Sequence, residues 1–431
     1  MGPSDDVLTS IEICAGAGGQ AIGLHEAGFK HLALVEIDPH AAETLRGNIG
    51  NLKEWSWERE YCDVISGDVN DFSPIPSDES RESDLKRVRG YLGKPLARGD
   101  LGLLAGGVPC PPFSHAGKQL GKDDERDLFP RILELTDELR PKAVMIENVR
   151  GIKDAKFEEY RTYIKARLQG GWAKHPVTGI QENFTGLGYE VCEWEVLEAS
   201  DFGVPQLRPR AVLVAIRKDV LGDIKFVWPT ATGIPQSVFR ALESSMNLRY
   251  APYLKMSGDV ARLAEQRLRQ WKEKAQKAES RKDCGVAPTL VGGSKKHGGA
   301  DLGPSRAKAA WALLGVSGVG VANSHDESVK KKSQDRDLFR DAGPMLTVEQ
   351  AAIIQGFPAN WKFSGGKTAQ YRQVGNAFPP PVAAAVGKAI ADVLLAAHER
   401  DRHKHAPKAV LPGQAAPTPA DSANNLESAH V

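Results

Sequence analysis

The chain has 431 residues, 41% of them hydrophobic and 26% charged, with a formal net charge of +1. That is the balance of an ordinary globular protein, and it excludes a fibrous or wholly disordered chain. Five widely spaced cysteines without a CxxC pair argue against a disulfide framework or a zinc site, so no metal is expected and a reducing compartment fits. The polar opening "MGPSDDVLTS" lacks a signal-peptide pattern, and no apolar run in the sequence reaches the roughly 18 residues of a membrane helix. A cytoplasmic protein without a membrane partner is expected, and the length predicts two domains or one large domain with an insertion.

In chain order, "SIEIC" is an apolar run entering the glycine-rich turn Ala15-Gly16-Ala17-Gly18-Gly19, and "QAIGLHEAGF" then has helical spacing. "HLALVEID" reads as a strand and "PHAAETLRGNI" as a helix, before strand-like runs in "VISGDVND" and "DLGLLAGGVPC". "RILELTDELRPKAVMIENV" is a helix broken at Pro141 and followed by a buried strand, and "AVLVAIRKD" (211–219) is a further strand. Strands alternating with helices predict an α/β fold, Rossmann-like, with a mostly parallel sheet covered by helices on both faces. The polar stretch 77–100 reads as a surface excursion. From residue 237 the alternation stops: a charged helix over 260–282 gives way to glycine-rich, irregular sequence. An amphipathic helix follows over 383–399, and the tail beyond 400 has the composition of a disordered segment.

Three successive strand ends carry polar groups suited to a nucleoside. The glycine turn lets a ligand approach the backbone, Glu36 closes the next strand about 20 residues on, where a ribose would lie, and Asp68 in "SGDV" is placed to accept from an adenine amino group. NAD and S-adenosylmethionine both satisfy this pattern. The turn AGAGGQAIG is not GxGxxG and has no basic residue beside it, which favours the cofactor without phosphates. The fourth strand then ends at Pro109-Cys110-Pro111, a thiol held between two rings that fix φ. A small buried residue in a turn is the ordinary role of a free cysteine. Here, however, Glu147 and Asn148 end the neighbouring strand on the same edge, so a nucleophile and a partner acid stand together. Arg208 and Arg210, in "QLRPR", alternate on an extended segment and would face one way, toward a substrate carbonyl or a phosphate. Between 237 and 345 there are 20 Lys/Arg against 12 Asp/Glu. A phosphate-binding module and a solvated charged helix over 260–282 both fit that excess, and composition alone does not separate them.

Taken together, "EICAGAGGQAIGLHEAGF", "VEID", "GDV", "GGVPCPPFS", "RDLF", "ENV", "QLRPR", "MLTVEQAAIIQGFP" and "YRQVGNAFPPPVA" resemble, in order, the motifs of the DNA (cytosine-5) methyltransferases of bacterial restriction–modification systems. The resemblance implies S-adenosylmethionine as cofactor, released as S-adenosylhomocysteine, with contacts from Ala15, Gly16, Ala17, Gly18, Gly19, Glu36, Ile37, Asp68, Val69, Pro109, Asn376 and Ala377. It implies that Cys110 attacks C6 of a cytosine flipped out of double-stranded DNA, that Glu147 contacts N3, and that Arg210, with Arg208, supports the carbonyl. The stretch after Cys110, "SHAGKQLGKDDERD", would close over the site. The catalytic domain would comprise 8–236 with 370–398, the target-recognition domain 237–345, a linking segment 346–369 and a tail 400–431. Ser114, Lys295, Lys296, His297 and Arg306 are the expected DNA contacts. Thr347, Glu349 and "QGFP" read as structural organisers. A monomer is expected, with a cognate restriction endonuclease acting independently.

Three departures stand out: Cys14 replaces an aromatic residue, Ile37 a larger one, and Pro111 a frequent glutamine. A tRNA-methylating relative shares the same core, but the long basic insert argues against it. A dehydrogenase would not need the cysteine, the Glu-Asn pair and the arginines together. A silent DNA-binding paralogue would have lost one of Cys110, Glu147 and Arg210.

Overall fold

A computed structural model describes residues 8–75, 82–109, 127–233, 235–292 and 300–405. The first half runs β1 (Thr9–Ile13), α1 (Gly19–Glu26), β2 (Lys30–Glu36), α2 (Pro39–Asn51), α3 (Ser56–Tyr61), β3 (Asp63–Ser66), α4 (Val88–Leu92), β4 (Leu103–Gly106), α5 (Phe129–Leu139) and β5 (Ala143–Val149). After α6 (Glu158–Gln169) come a hairpin of β6 (Gly171–Lys174) and β7 (Gln181–Phe184), then β8 (Tyr189–Glu198), β9 (Pro209–Arg217) and α7 (Lys218–Leu221). The main sheet has seven strands in the order β3-β2-β1-β4-β5-β9-β8. The pairings from β3 through β5 are parallel, while β9 is antiparallel to both β5 and β8.

Burial on both faces explains the near-continuous apolar strands. Ile11 and Ile13 of β1 pack with Leu135 of α5 and Ile164 of α6, whereas Ala105 and Met145 on the opposite face pack with Leu24 of α1. The expected α/β fold is therefore present. Asp68 lies two residues beyond β3 rather than within it, and the hairpin and β8 were not expected from the sequence. Trp172, 64% exposed, and the polar alternation of β6 and β7 weaken the apolar pattern that a strand search relies on.

Among the described residues, the elements that follow are helices: α8 (Val238–Leu254), α9 (Asp259–Glu279), α10 (Ser305–Leu313), α11 (His325–Lys330), α12 (Gln334–Asp337), α13 (Val348–Gln355), α14 (Lys367–Asn376) and α15 (Pro380–His405). Thr347 caps α13 through a capping box with Gln350. On α9, Arg262, Arg267, Arg269 and Lys272 are engaged with Asp259, Asp341, Glu273 and Glu243, so much of that helix's positive charge is spent on intramolecular pairs. The stretch 367–404 is long and apolar enough by composition to cross a membrane, which reading the sequence for unbroken apolar runs missed. Its apolar side chains, including Val386, Ile390 and Leu394, belong to the core that also holds Leu24 of α1. The two helices approach closely because a Cβ on Gly23 would stand 2.3 Å from the Pro380 carbonyl oxygen.

Candidate active site

The strand order reverses direction around β1, which lies between β2 and β4. Such a switch point opens a crevice at the carboxyl ends of the strands. A cavity of about 230 Å³ occupies it, walled by the β1–α1 turn, Glu36, Glu147 and the end of α14.

The turn leaves β1 through two left-handed residues, Cys14 at φ 52° and Gly16 at φ 56°. Nothing lies within 4 Å of where a Cβ on Gly16 would stand, so the open space there belongs to the cavity. Glu36 holds the turn in place: the Gly16 N–H donates to its Oε2 at 2.7 Å and the Asp38 N–H to its Oε1 at 2.7 Å. Burial pushes the Glu36 carboxyl up, and these backbone donors work against that rise. Asp38 then caps α2 by accepting from the His40 and Ala41 N–H groups. Burial, reinforced by the charges of Glu36, Glu12 and Asp68, pushes the Cys14 thiol up to about 12, which makes it a poor nucleophile near neutral pH.

On the opposite wall Glu147 stands two residues before the end of β5, and its Oε1 lies 2.7 Å from Arg210 Nε on β9. Both side chains are largely buried, at 13% and 12% exposure. Burial raises the Glu147 carboxyl, opposed first by Arg210 and then by Arg208. Space for this carboxyl depends on Gly107, where a Cβ would come 3.1 Å from Glu147 Oε2. The neighbouring Asn148 steers the chain that leaves β4, its Nδ2 donating to the Val108 carbonyl at 2.8 Å. That segment is followed to Pro109, while Cys110 and Ser114 lie outside the described residues, as does most of the stretch expected to close over the site.

Arg208 does not share Arg210's position. It is 1% exposed, with Nη1 donating to the Leu290 carbonyl at 2.7 Å and Nη2 to the Gly375 carbonyl at 2.8 Å. It joins the segment after α9 to the end of α14. The same junction carries Gln206, which donates to Gln355 at 2.7 Å and accepts from the Leu290 N–H at 2.7 Å, while Gln355 of "QGFP" donates to the Ala377 carbonyl at 2.5 Å.

The expected cofactor residues Ala15, Gly16, Ala17, Gly19, Glu36, Asn376 and Ala377 all line the cavity. Gly18, Ile37, Asp68, Val69 and Pro109 stand outside its wall. Gly18 faces Trp361 and Leu45, Ile37 is 65% exposed beside Glu36, and Val69 is buried with its carbonyl accepting from Arg131. Sequence reading missed Glu12, Gln20, Gly107 and Arg372, which also line it; an acid inside the apolar run "SIEIC" was the available signal. Of the expected DNA contacts, Arg306 is exposed on α10, and Lys295, Lys296 and His297 lie outside the described residues. Among the described residues no group of His, Cys, Asp and Glu is arranged to hold a metal ion.

This geometry can be set beside known proteins. Residues 8–392 match the family model described as C-5 cytosine-specific DNA methylase. The chain is 44% identical over 397 residues to the Type II methyltransferase M.NaeI of Lentzea aerocolonigenes, covering 92% of this chain and 78% of that protein. It is 41% identical over 392 residues to the Type II methyltransferase M.NgoMIV of Neisseria gonorrhoeae, covering 90% and 98%. A crystal structure of a prophage-encoded DNA modification methyltransferase of E. coli shares the fold with a TM-score of 0.50 at 21% identity, covering 90% of this chain and 99% of that one. A match over nearly the whole length, with the carboxylate and arginine motifs meeting at one sheet edge, leaves one conclusion: this chain belongs to the C-5 cytosine-specific DNA methylase family.

Proposed function

We propose that the protein is a site-specific DNA (cytosine-5) methyltransferase of a restriction–modification system, using S-adenosylmethionine to methylate C5 of a cytosine flipped out of duplex DNA. The observation that carries this reading is Glu147, held by Arg210, lining the same cavity as the β1–α1 turn. The cavity wall suits a cationic sulfonium better than a dinucleotide: it bears the carboxyls of Glu12, Glu36, Asp38 and Glu147, with Arg372 as its arginine. Glu36 and the turn would hold the nucleoside, and Asn376 and Ala377 would close the other side. When bound, S-adenosylmethionine supplies an electrophilic methyl group.

The chain's own residues prepare the base to accept it. The Cys110 thiolate adds to C6, so the pyrimidine becomes an enamine nucleophilic at C5. The Glu147 carboxyl gives its proton to N3, neutralising the negative charge that the addition places on the ring, and Arg210 holds the resulting carboxylate and the base carbonyl. After C5 gains the methyl group, its proton passes to water, the electrons of that C–H bond restore the C5–C6 double bond as the C6–S bond breaks and returns the thiolate, and N3 gives its proton back to Glu147. Arg208 braces the strand that carries Arg210.

The domain division into 8–236 with 370–398, 237–345 and 346–369 assigns DNA recognition to the segment 237–345, with Lys295, Lys296, His297 and Arg306 as contacts and Ser114 of the catalytic segment as a further one. Protection of host DNA from a separately acting endonuclease, a monomeric state and a cytoplasmic location complete the reading.

The test is transfer of labelled methyl groups to plasmid DNA and to tRNA, followed by bisulfite sequencing of the plasmid. The expected result is 5-methylcytosine at one short recurring sequence. Label in tRNA alone would overturn the DNA assignment, and label in neither would overturn the assignment as an active enzyme.

A further inference from the structure

The turn that leads from β1 into α1 is held from a distant part of the chain, the segment between α13 and α14. Trp361 of that segment is 4% exposed, and its indole Nε1 donates to the Ala17 carbonyl at 2.9 Å. Its six-membered ring lies against the next residue: a Cβ on Gly18 would stand 2.7 Å from Trp361 Cζ2. Gly18 has φ 92°, so both its backbone conformation and the ring beside it require glycine. The N–H of Gly18 donates to the Ala15 carbonyl at 3.1 Å. The peptide between Ala17 and Gly18 is therefore tied at its oxygen and at its nitrogen, and Trp361 supplies the tie from outside the turn.

The segment carrying Trp361 is itself fixed by buried side chains. The Lys362 N–H donates to Oδ1 of Asn48 on α2 at 2.9 Å, and the Lys362 carbonyl accepts from Asn48 Nδ2 at 2.7 Å. The Ser364 N–H donates to Thr44 Oγ1 at 2.8 Å, and Thr44 donates in turn to Gln373 Oε1 at 2.6 Å. Gln373 Nε2 closes the circuit on the Ser364 carbonyl at 2.9 Å. Thr44 and Asn48 are buried, so these bonds are made away from water, where they are strongest. Trp361, Thr44 and Asn48 stand behind the cavity wall, whereas Ala17 and Gln373 line it.

We propose that Trp361 is a positioning residue for methyl transfer: it fixes the β1–α1 turn in the conformation that accepts the methyl donor, without touching the donor. The inference rests on the S-adenosylmethionine reading above. Without the indole N–H the Ala17–Gly18 peptide is free to rotate, and the turn divides its time between the competent form and others. The apparent affinity for the donor then falls by the competent fraction. Donor at saturation restores the competent form, so the loss falls on KM and spares kcat. A tryptophan that only fills the core has the opposite signature, since lost packing reduces the amount of folded enzyme, and with it kcat, at an unchanged KM.

Calorimetry with S-adenosylhomocysteine and steady-state methyl transfer to plasmid DNA test the role together. Trp361→Phe keeps an aromatic ring in the core and removes the N–H donor. It is expected to weaken S-adenosylhomocysteine and raise the KM for S-adenosylmethionine about 5-fold, the equivalent of one neutral hydrogen bond, with kcat within about two-fold. Trp55→Phe is the packing control, because Trp55 is buried against Trp361 with 5.5 Å between ring centroids. It should lower the melting temperature and leave both cofactor constants unchanged. Asn48→Ala frees Lys362 from α2 and reaches the same turn by a second route, with S-adenosylhomocysteine expected to weaken about 3-fold. Wild-type cofactor constants in Trp361→Phe, or equal losses in Trp55→Phe, overturn the positioning role. Should Trp361→Phe fail to fold, wild-type affinity in Asn48→Ala overturns it instead. Wild-type protein that does not bind S-adenosylhomocysteine overturns the cofactor reading itself.

Discussion

Arg210 and Glu147 meet on a diagonal across two antiparallel strands. Glu147 is paired in register with Val212, and Arg210 with Val149, so the guanidinium reaches back along the sheet to place Nε 2.7 Å from Oε1. Residues two apart on facing strands share a face of the sheet, and here both ends of the contact are buried. Neither group is indifferent to the loss of the other, because a lone buried charge is more costly than the pair.

A double-mutant cycle follows from that pairing. Glu147→Ala and Arg210→Met are each expected to lower single-turnover methyl transfer about 100-fold or more, and the double variant little further, since residues that act as one unit are not additive. Losses that multiply fully in the double variant would show that the two act independently. Circular dichroism on each variant separates lost chemistry from lost fold.

Arg208 leads to a different expectation. Its two donors bridge the carbonyls of Leu290 and Gly375, which are 82 and 167 residues away in sequence. A hydrogen bond from a charged group contributes about 1.5–3 kcal/mol, so Arg208→Met is expected to lower stability to urea by about 3 kcal/mol. Arg208→Lys should recover little, because an ammonium on a single stem cannot span two carbonyls held by a planar fork. Wild-type stability in Arg208→Met would rule out the clamp.

The two arginines show where sequence reading stops. Their alternation in "QLRPR" placed both on one face, toward a substrate carbonyl or a phosphate, and the pairing of Arg210 with Glu147 was not read, because it depends on β9 lying antiparallel beside β5. For Arg208 the acceptors are main-chain carbonyls, which carry no side-chain signature, and they lie far away in sequence. The strand-end acids were legible for the opposite reason: Glu36 and Glu147 end apolar runs that announce parallel strands. Gln20 escaped because a polar residue early in a helix looks solvated until packing encloses it.

The acid limb of stability is expected to run through His31. The ring is fully buried, with Nδ1 2.9 Å from Ser10 Oγ and Nε2 2.9 Å from the Ala21 carbonyl. Burial lowers its pKa to about 4, although Glu58 nearby favours the charged form. In the unfolded chain the ring titrates near 6.5. The folded value lies below the unfolded one, so this contribution is fully present above about pH 6.5 and is lost as the pH falls toward 4, to a total of about 3 kcal/mol. Urea midpoints at pH 7 and pH 5 measure it. The difference between them should shrink in His31→Gln, and an unchanged difference would exclude His31 as its source.

A pair of glycine substitutions tests the junction between α14 and the segment after α9. A Cβ on Gly375 would stand 2.6 Å from the Gly292 nitrogen and 2.7 Å from its Cα. Both obstacles are backbone, held from behind by the Arg208 bonds to Leu290 and Gly375, so they cannot rotate aside as a side chain would. Gly375→Ala is expected to cost about 2 kcal/mol, within the range for overpacking. It should also weaken S-adenosylhomocysteine, because Asn376 follows directly and lines the cavity. Gly47 is the control: it lies inside α2 with nothing within 4 Å of an added Cβ. There alanine gains only the helix preference, about 0.5–1 kcal/mol of stabilisation. Thermal melts of the two variants should therefore move in opposite directions, and a Gly375→Ala protein as stable as the wild type would mean that the two backbones can part without loss.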